Sequence, residues 1–196
     1  MPGAGLRAGA VLTLMATMAG FAQTPDVTIE LKKETERSQR MRAQLERLLR
    51  EYDLSPYIQT TRIVIEEGVI PHSHPVLTIH TRHLGDDLML LSTFLHEQMH
   101  WLVAERDSAE AGAIADFREL YPEVPVGRPD GARDEHSTYL HLIVCDLEYQ
   151  AMTDLVGREK ARETLARIDH YKWIYEQVLD APQVREVNAR WGFTLD

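Results

Sequence analysis

The chain has 196 residues, 44% of them hydrophobic, which is enough to bury one well-formed core. Its formal net charge of -10, from 31 acidic against 21 basic residues, argues against the basic footprint of a protein that binds nucleic acid or an anionic membrane. Its single cysteine, Cys145, excludes internal disulfides and a cysteine-rich zinc knot; within "YLHLIVCDL" it reads as a small buried hydrophobe.

The first segment, "MPGAGLRAGAVLTLMATMAGFAQTP", carries Arg7 as its only charged side chain, then an apolar run from Ala8 to Ala19 and a small-x-small site at Gly20-Phe21-Ala22. That pattern reads as a secretory signal peptide over residues 1–22, cleaved near Ala22. The run is shorter than the roughly 20 residues a membrane span requires. The expectation is one domain over residues 23–196, secreted or periplasmic, with no stable membrane span after cleavage.

"TIELKKETERSQRMRAQLERLLREYDL" places Met41, Leu45, Leu48 and Leu49 at helical spacing and predicts an amphipathic helix. "TRIVIEE" and "PVLTIHTR" have the β-branched content of strands, separated by the turn-rich "GVIPHSHP", so a hairpin or two neighbouring strands fit. From Asp86 or Asp87, either of which can cap a helix, the pattern is helical and apolar to Val103. A shorter helix follows over Ser108 to Leu120, then a loop from Pro122 to Glu135 rich in proline and glycine. The apolar stretch from His136 to Gly157 predicts a long helix, residues 158–180 a further charged one, and Pro182 a short last one.

The second of these helices contains "TFLHEQMHWLV". Residues four apart on a helix share a face, so His96 and His100 can direct imidazoles at one metal ion. Glu97 projects beside them as a general base for a metal-bound water, the arrangement of zinc peptidases. Phe94, Leu95, Met99, Leu102 and Val103 bury the motif, and buried histidines and a carboxylate are costly without partners. The bland reading is a set of incidental histidines, hydrogen-bonded in the core or exposed in a stripe.

A catalytic zinc takes three protein ligands and leaves one position for water. The metzincin arrangement fails, because Val103 and Arg106 stand where its glycine and histidine belong. The apolar helix from His136 offers His141 and Glu148 on one face, but about 10 Å apart along the axis, too far to share an ion.

"FLHEQMHWLV" followed by "LEYQAMTDLVG" resembles the gluzincin pattern, in which a glutamate on a later helix is the third ligand. The second string is similar to the glutamate-bearing helix of the CAAX prenyl endopeptidases and related zinc peptidases. The resemblance implies His96, His100 and Glu148 as zinc ligands and Glu97 as catalytic base. Met152 replaces the customary aspartate after the alanine, so a supporting carboxylate would come from elsewhere, with Asp146 and Asp154 as candidates. The membrane helices of the prenyl proteases are absent, and the likeness covers two helices only. If the helix is offset, His141 becomes the ligand and Glu148 its supporting partner.

Other residues could contribute to the same site. His136, Tyr139 and His141 can each donate to the oxyanion of a tetrahedral intermediate, His141 foremost. His72 and His74 could chelate a second metal. The strand "VLTIHTR" could take an extended substrate along its edge, with His80 and Arg82 facing a cleft, and the loop from Pro122 could cover it with Gly127 and Gly131 as flexible points.

The expected fold is therefore α+β: a mostly helical, zincin-like domain with a small sheet, strands near 60–66 and 75–82, packed on the zinc helix. The expected function is an exported zinc-dependent metallopeptidase acting on a peptide or protein substrate. A non-catalytic zinc-binding or protein-binding module on the same fold is the alternative.

Overall fold

The computed structural model describes residues 26–195, and the expected signal segment lies outside them. Strand β1, Thr28–Leu31, pairs in parallel with β2, Arg62–Ile65, which pairs in parallel with β3, Leu77–Ile79. The sequence predicts helix from residue 28, whereas helix α1 spans only Glu36–Glu51. Its start is fixed by a capping box: the Thr35 hydroxyl accepts from the Ser38 backbone N–H and the Ser38 hydroxyl accepts from that of Thr35, each at 3.0 Å. Upstream of that cap the chain is free to join the sheet edge as β1.

Because β2 and β3 are parallel, the hairpin alternative fails. Their connection doubles back, and His72 bridges Thr78 in antiparallel fashion, with Thr78 N–H donating to the His72 carbonyl at 2.8 Å. The edge of β3 expected to receive substrate is therefore covered at Thr78 by the protein's own backbone. Ile63, Ile65, Leu77 and Ile79 are fully buried, and helices α1 and α2 pack against this small sheet.

Helix α2, Asp87–Ala104, begins at Asp86, whose carboxylate accepts from Met89 N–H at 3.2 Å. Helix α3 spans Asp107–Leu120 and α4 spans Glu135–Val156, capped by Asp134 and closed by Gly157 at φ 84°. Helix α4 is the axis of the molecule: α2, α3 and three later helices all pack on it, and Leu142, Ile143, Val144, Leu147, Ala151 and Met152 are fully buried. A helix apolar around most of its circumference is stable only when neighbours enclose it.

The one long helix expected over 158–180 is broken. Helix α5 covers Arg158–Leu165, α6 covers Lys172–Asp180, and α7 follows over Pro182–Arg190. Between α5 and α6 the backbone of Tyr171 is left-handed, at φ 55° and ψ 33°, a conformation that costs a non-glycine residue about 1–3 kcal/mol. The break lets α6 pack on α4 and brings Tyr171 and His170 toward the histidine-bearing helices. The architecture is α+β, with a small parallel sheet beside a helical majority. No helix among the described residues is long and apolar enough to cross a membrane.

Candidate metal centre

Helices α2 and α4 run antiparallel through the core, and each contributes one polar stripe to their seam. On α2 the stripe is Ser92, His96 and His100, at successive turns; on α4 it is His141, Cys145 and Glu148. The stripes meet rung by rung. Ser92 donates to Glu148 Oε1 at 2.5 Å, the His96 Nδ1 lies 2.9 Å from Glu148 Oε2, and the His100 and His141 rings sit 5.0 Å apart between centroids.

The three imidazoles form a nearly equilateral group. His96 and His100 are 5.0 Å apart and His96 and His141 are 5.5 Å apart between ring centroids. One ring nitrogen from each lies within 4.8 Å of the others, close enough to share an ion after a small inward movement. Ligands about 2.0 Å from a tetrahedral zinc are separated by about 3.3 Å.

Two of the three rings already have their outer nitrogens engaged. His141 Nδ1 donates to the Ser137 carbonyl at 2.5 Å, and His96 Nδ1 donates to Glu148. That leaves Nε2 as the nitrogen each ring can offer to an ion, as outer hydrogen bonds arrange in ligating histidines. Glu148 is itself fixed: fully buried, it accepts from Ser92, from His96 and from the Tyr175 hydroxyl of α6 at 2.7 Å. Every oxygen lone pair that matters here meets a donor, so the network is satisfied and rigid.

Electrostatics follow from burial. His141 is pushed down to about 3, first by burial and then by the neighbouring His96, and His100 is held well below its ordinary range for the same reasons. Both therefore stay neutral and free to ligate. Burial would also lower His96, but its contacts with Cys145 and Glu148 outweigh that and raise it. Burial pushes Glu97, 6% exposed, up to about 7, against the opposing pull of His96 and His72. A carboxylate in that range is matched to taking and returning a proton near neutral pH.

The candidates named from sequence are sorted by this geometry. His96, His100, His141 and Glu148 lie at the α2–α4 seam, and Glu97, next to His96 in sequence, is buried with His96, His72 and Glu148 as its charged neighbours. Glu148 groups with His96 and Cys145, while His141 groups with His96 and His100. Asp146 faces away and binds Arg185 and Asn188 of α7, and Asp154 meets the Tyr57 hydroxyl at 3.3 Å. His136 is exposed beside Glu110, and the Tyr139 hydroxyl donates to the Tyr121 carbonyl at 2.6 Å. None of these four reaches the seam.

The histidine-rich turn docks on α2, since the Trp101 indole donates to the Ser73 carbonyl at 2.9 Å and stacks on His74 at 4.1 Å. His80 is buried instead of facing a cleft, because β3 ends at Ile79 and the strand alternation stops there. Gly131 is not a hinge: a Cβ there would lie 1.9 Å from the Pro125 carbonyl oxygen, so the glycine permits a close backbone crossing.

Ser92, Tyr175 and Tyr171 are the participants the sequence reading missed. Ser92 was legible as the residue one turn before His96. Tyr171 packs 4.3 Å from the His141 ring and 6.3 Å from that of His96, but only because the helix breaks there. The chain thus holds a group of histidine, cysteine and glutamate side chains able to bind a metal ion. No protein-family model, curated protein or solved structure matches this chain.

Proposed function

We propose that the protein is a zinc-dependent hydrolase of peptide bonds, with His96, His100 and His141 as the metal ligands and Glu97 as the general base. The observation that carries this reading is the pairing of His96 Nδ1 with Glu148 and of His141 Nδ1 with the Ser137 carbonyl, which leaves Nε2 of both rings available in a group whose ligand atoms lie within 4.8 Å of one another. Three imidazoles, with His96 giving up its extra proton as the ion binds, suit zinc and leave its fourth position open. Zinc held there would polarise a substrate carbonyl and make a water molecule more acidic.

The chain's own residues then do the rest. Glu97, set beside His96 and held near neutrality, takes a proton from the attacking water and returns it to the leaving amine. Glu148 stays outside the ligand set and holds His96 in orientation. Tyr171 and the docked turn carrying His72 and His74 bound the triad and limit water around Glu97. The signal-like pattern of residues 1–22 fits an exported enzyme.

The test uses purified chain, metal analysis and a mixed peptide library read by mass spectrometry. Wild type is expected to carry one zinc and cleave peptides, and Glu97→Gln to keep the zinc while losing at least about 100-fold in rate. Equal cleavage by both would refute the base assignment. Zinc at one per chain with no cleavage by wild type would leave the non-catalytic metal module in its place.

A further inference from the structure

On the middle rung of the α2–α4 seam, the proposed reaction leaves Cys145 unused. Cys145 is fully buried one turn beyond His141 and three residues before Glu148. Its sulfur, a ring nitrogen of His96 and a carboxylate oxygen of Glu148 all lie within 4.8 Å of one another, a second ligand-like group that shares only His96 with the first. The Nδ1 side of His96 faces this inner group, since that nitrogen is 2.9 Å from Glu148 Oε2.

We propose that His96, Cys145 and Glu148 form an inner site for a thiophilic divalent cation of the Cd2+ kind, distinct from the three-histidine site. Three features select that class. A thiolate prefers soft ions, whereas calcium and magnesium prefer a shell of oxygens, of which this group supplies only the Glu148 carboxylate. A 2+ ion is balanced by one thiolate and one carboxylate, which removes the cost of burying net charge. The Glu148 carboxylate is already oriented by Ser92 and Tyr175, the outer support that buried metal ligands need.

Binding forms a bond from the ion to sulfur, to Nδ1 and to a carboxylate oxygen. It displaces the thiol proton and the extra proton of His96 to solvent and leaves that ring's remaining proton on Nε2 instead of Nδ1, with no change of oxidation state. It also removes the His96–Glu148 hydrogen bond. Where the three-histidine metal reading holds, the two sites therefore oppose each other through one ring.

The experiment titrates reduced, chelator-treated protein with Cd2+. It follows the ultraviolet charge-transfer absorption of a cadmium thiolate, and counts ions by native mass spectrometry. Cys145 is the only cysteine in the chain, so any such band reports this site. Wild type is expected to develop the band with its first ion and to take a second only at higher concentration, because both sites draw on His96. Cys145→Ala, or Cys145→Ser if alanine folds poorly by circular dichroism, is expected to bind one ion without the band.

His141→Ala is expected to keep the band and lose the other ion, which separates the inner site from the outer one. Glu148→Gln is expected to weaken the band's midpoint at least tenfold. Wild type that binds cadmium without a thiolate band overturns the proposal, as does an unchanged midpoint in Glu148→Gln. Neither readout depends on peptide cleavage, so an inactive protein with the band would sink the peptidase reading and leave the inner site standing.

Discussion

Replacing Glu148 by glutamine turns one carboxylate oxygen into an NH2 group and removes a buried negative charge, in a pocket where every neighbour is a donor. Ser92 at 2.5 Å, Tyr175 at 2.7 Å and His96 Nδ1 at 2.9 Å all point at this carboxylate. The two hydroxyls can rotate to accept from the new amide, but an Nδ1–H cannot, so His96 keeps an uncharged acceptor at best. Loss of such an outer partner costs about 10–100-fold in metal affinity, or roughly 1.4–2.7 kcal/mol. His141→Ala instead removes a ligand. A structural zinc holds about 10–16 kcal/mol over four ligands, so one ligand accounts for about 3 kcal/mol or more, above 100-fold. The assay is competition with a chromophoric zinc chelator, on variants shown by circular dichroism to keep their helix content. The expected order of loss is His141→Ala above Glu148→Gln. If Glu148→Gln loses as much as His141→Ala or more, Glu148 is the third ligand and the seam has been assigned backwards. Affinity within about threefold of wild type would show that the carboxylate does not orient His96.

Stripping the metal with a chelator is expected to lower Tm by about 5–10 °C when free metal had stood near 100 times its Kd, equivalent to about 2.7 kcal/mol in a domain of this size. An identical Tm with and without chelator would rule out a native-state metal. Burial lowers His80 from 6.5 to about 4, so between those values the unfolded chain binds a proton that the folded chain does not. Stability is then full above about pH 6.5 and declines as pH falls toward about 4, by an amount of order 1–3 kcal/mol. Measured with chelator present, His80→Gln should flatten this slope; an equally steep profile refutes the argument. A Cβ at Gly112 would meet the Trp191 indole at 2.2 Å. Gly112→Ala should therefore cost about 1–3 kcal/mol by overpacking α3 against the end of α7, and an unchanged Tm would contradict it.

Much of the helical layout was legible because its signals are local. Asp86 caps α2, Gly157 closes α4 and Pro182 opens α7, each where the residue type predicts. The seam was half legible: periodicity puts His141 and Glu148 on one face of α4, but which of them lies opposite His100 depends on the antiparallel register with α2. That register is a tertiary fact with no sequence marker. The strand β1 was hidden because Glu30 and the lysines after it continue the charged pattern of α1, and only the Thr35 cap separates them. The break at Tyr171 was hidden for the opposite reason. "ARIDHYKW" contains neither glycine nor proline, so nothing local announces a left-handed residue there. The structure reaches that conformation through packing against α4, and it places an aromatic ring at the site that no motif could have indicated.

The division of the histidines between two helices has a consequence for how the protein is assembled. His96 and His100 are four residues apart, so they can grip a metal as soon as one turn of α2 exists, whereas His141 arrives only when α4 docks. Binding by the local pair favours that turn and offsets part of the cost of helix nucleation. It also gives the unfolded chain some affinity of its own, so the gain in equilibrium stability is smaller than the native affinity implies. A metal ion present during refolding is therefore expected to speed the formation of α2 as well as to favour the folded chain at equilibrium.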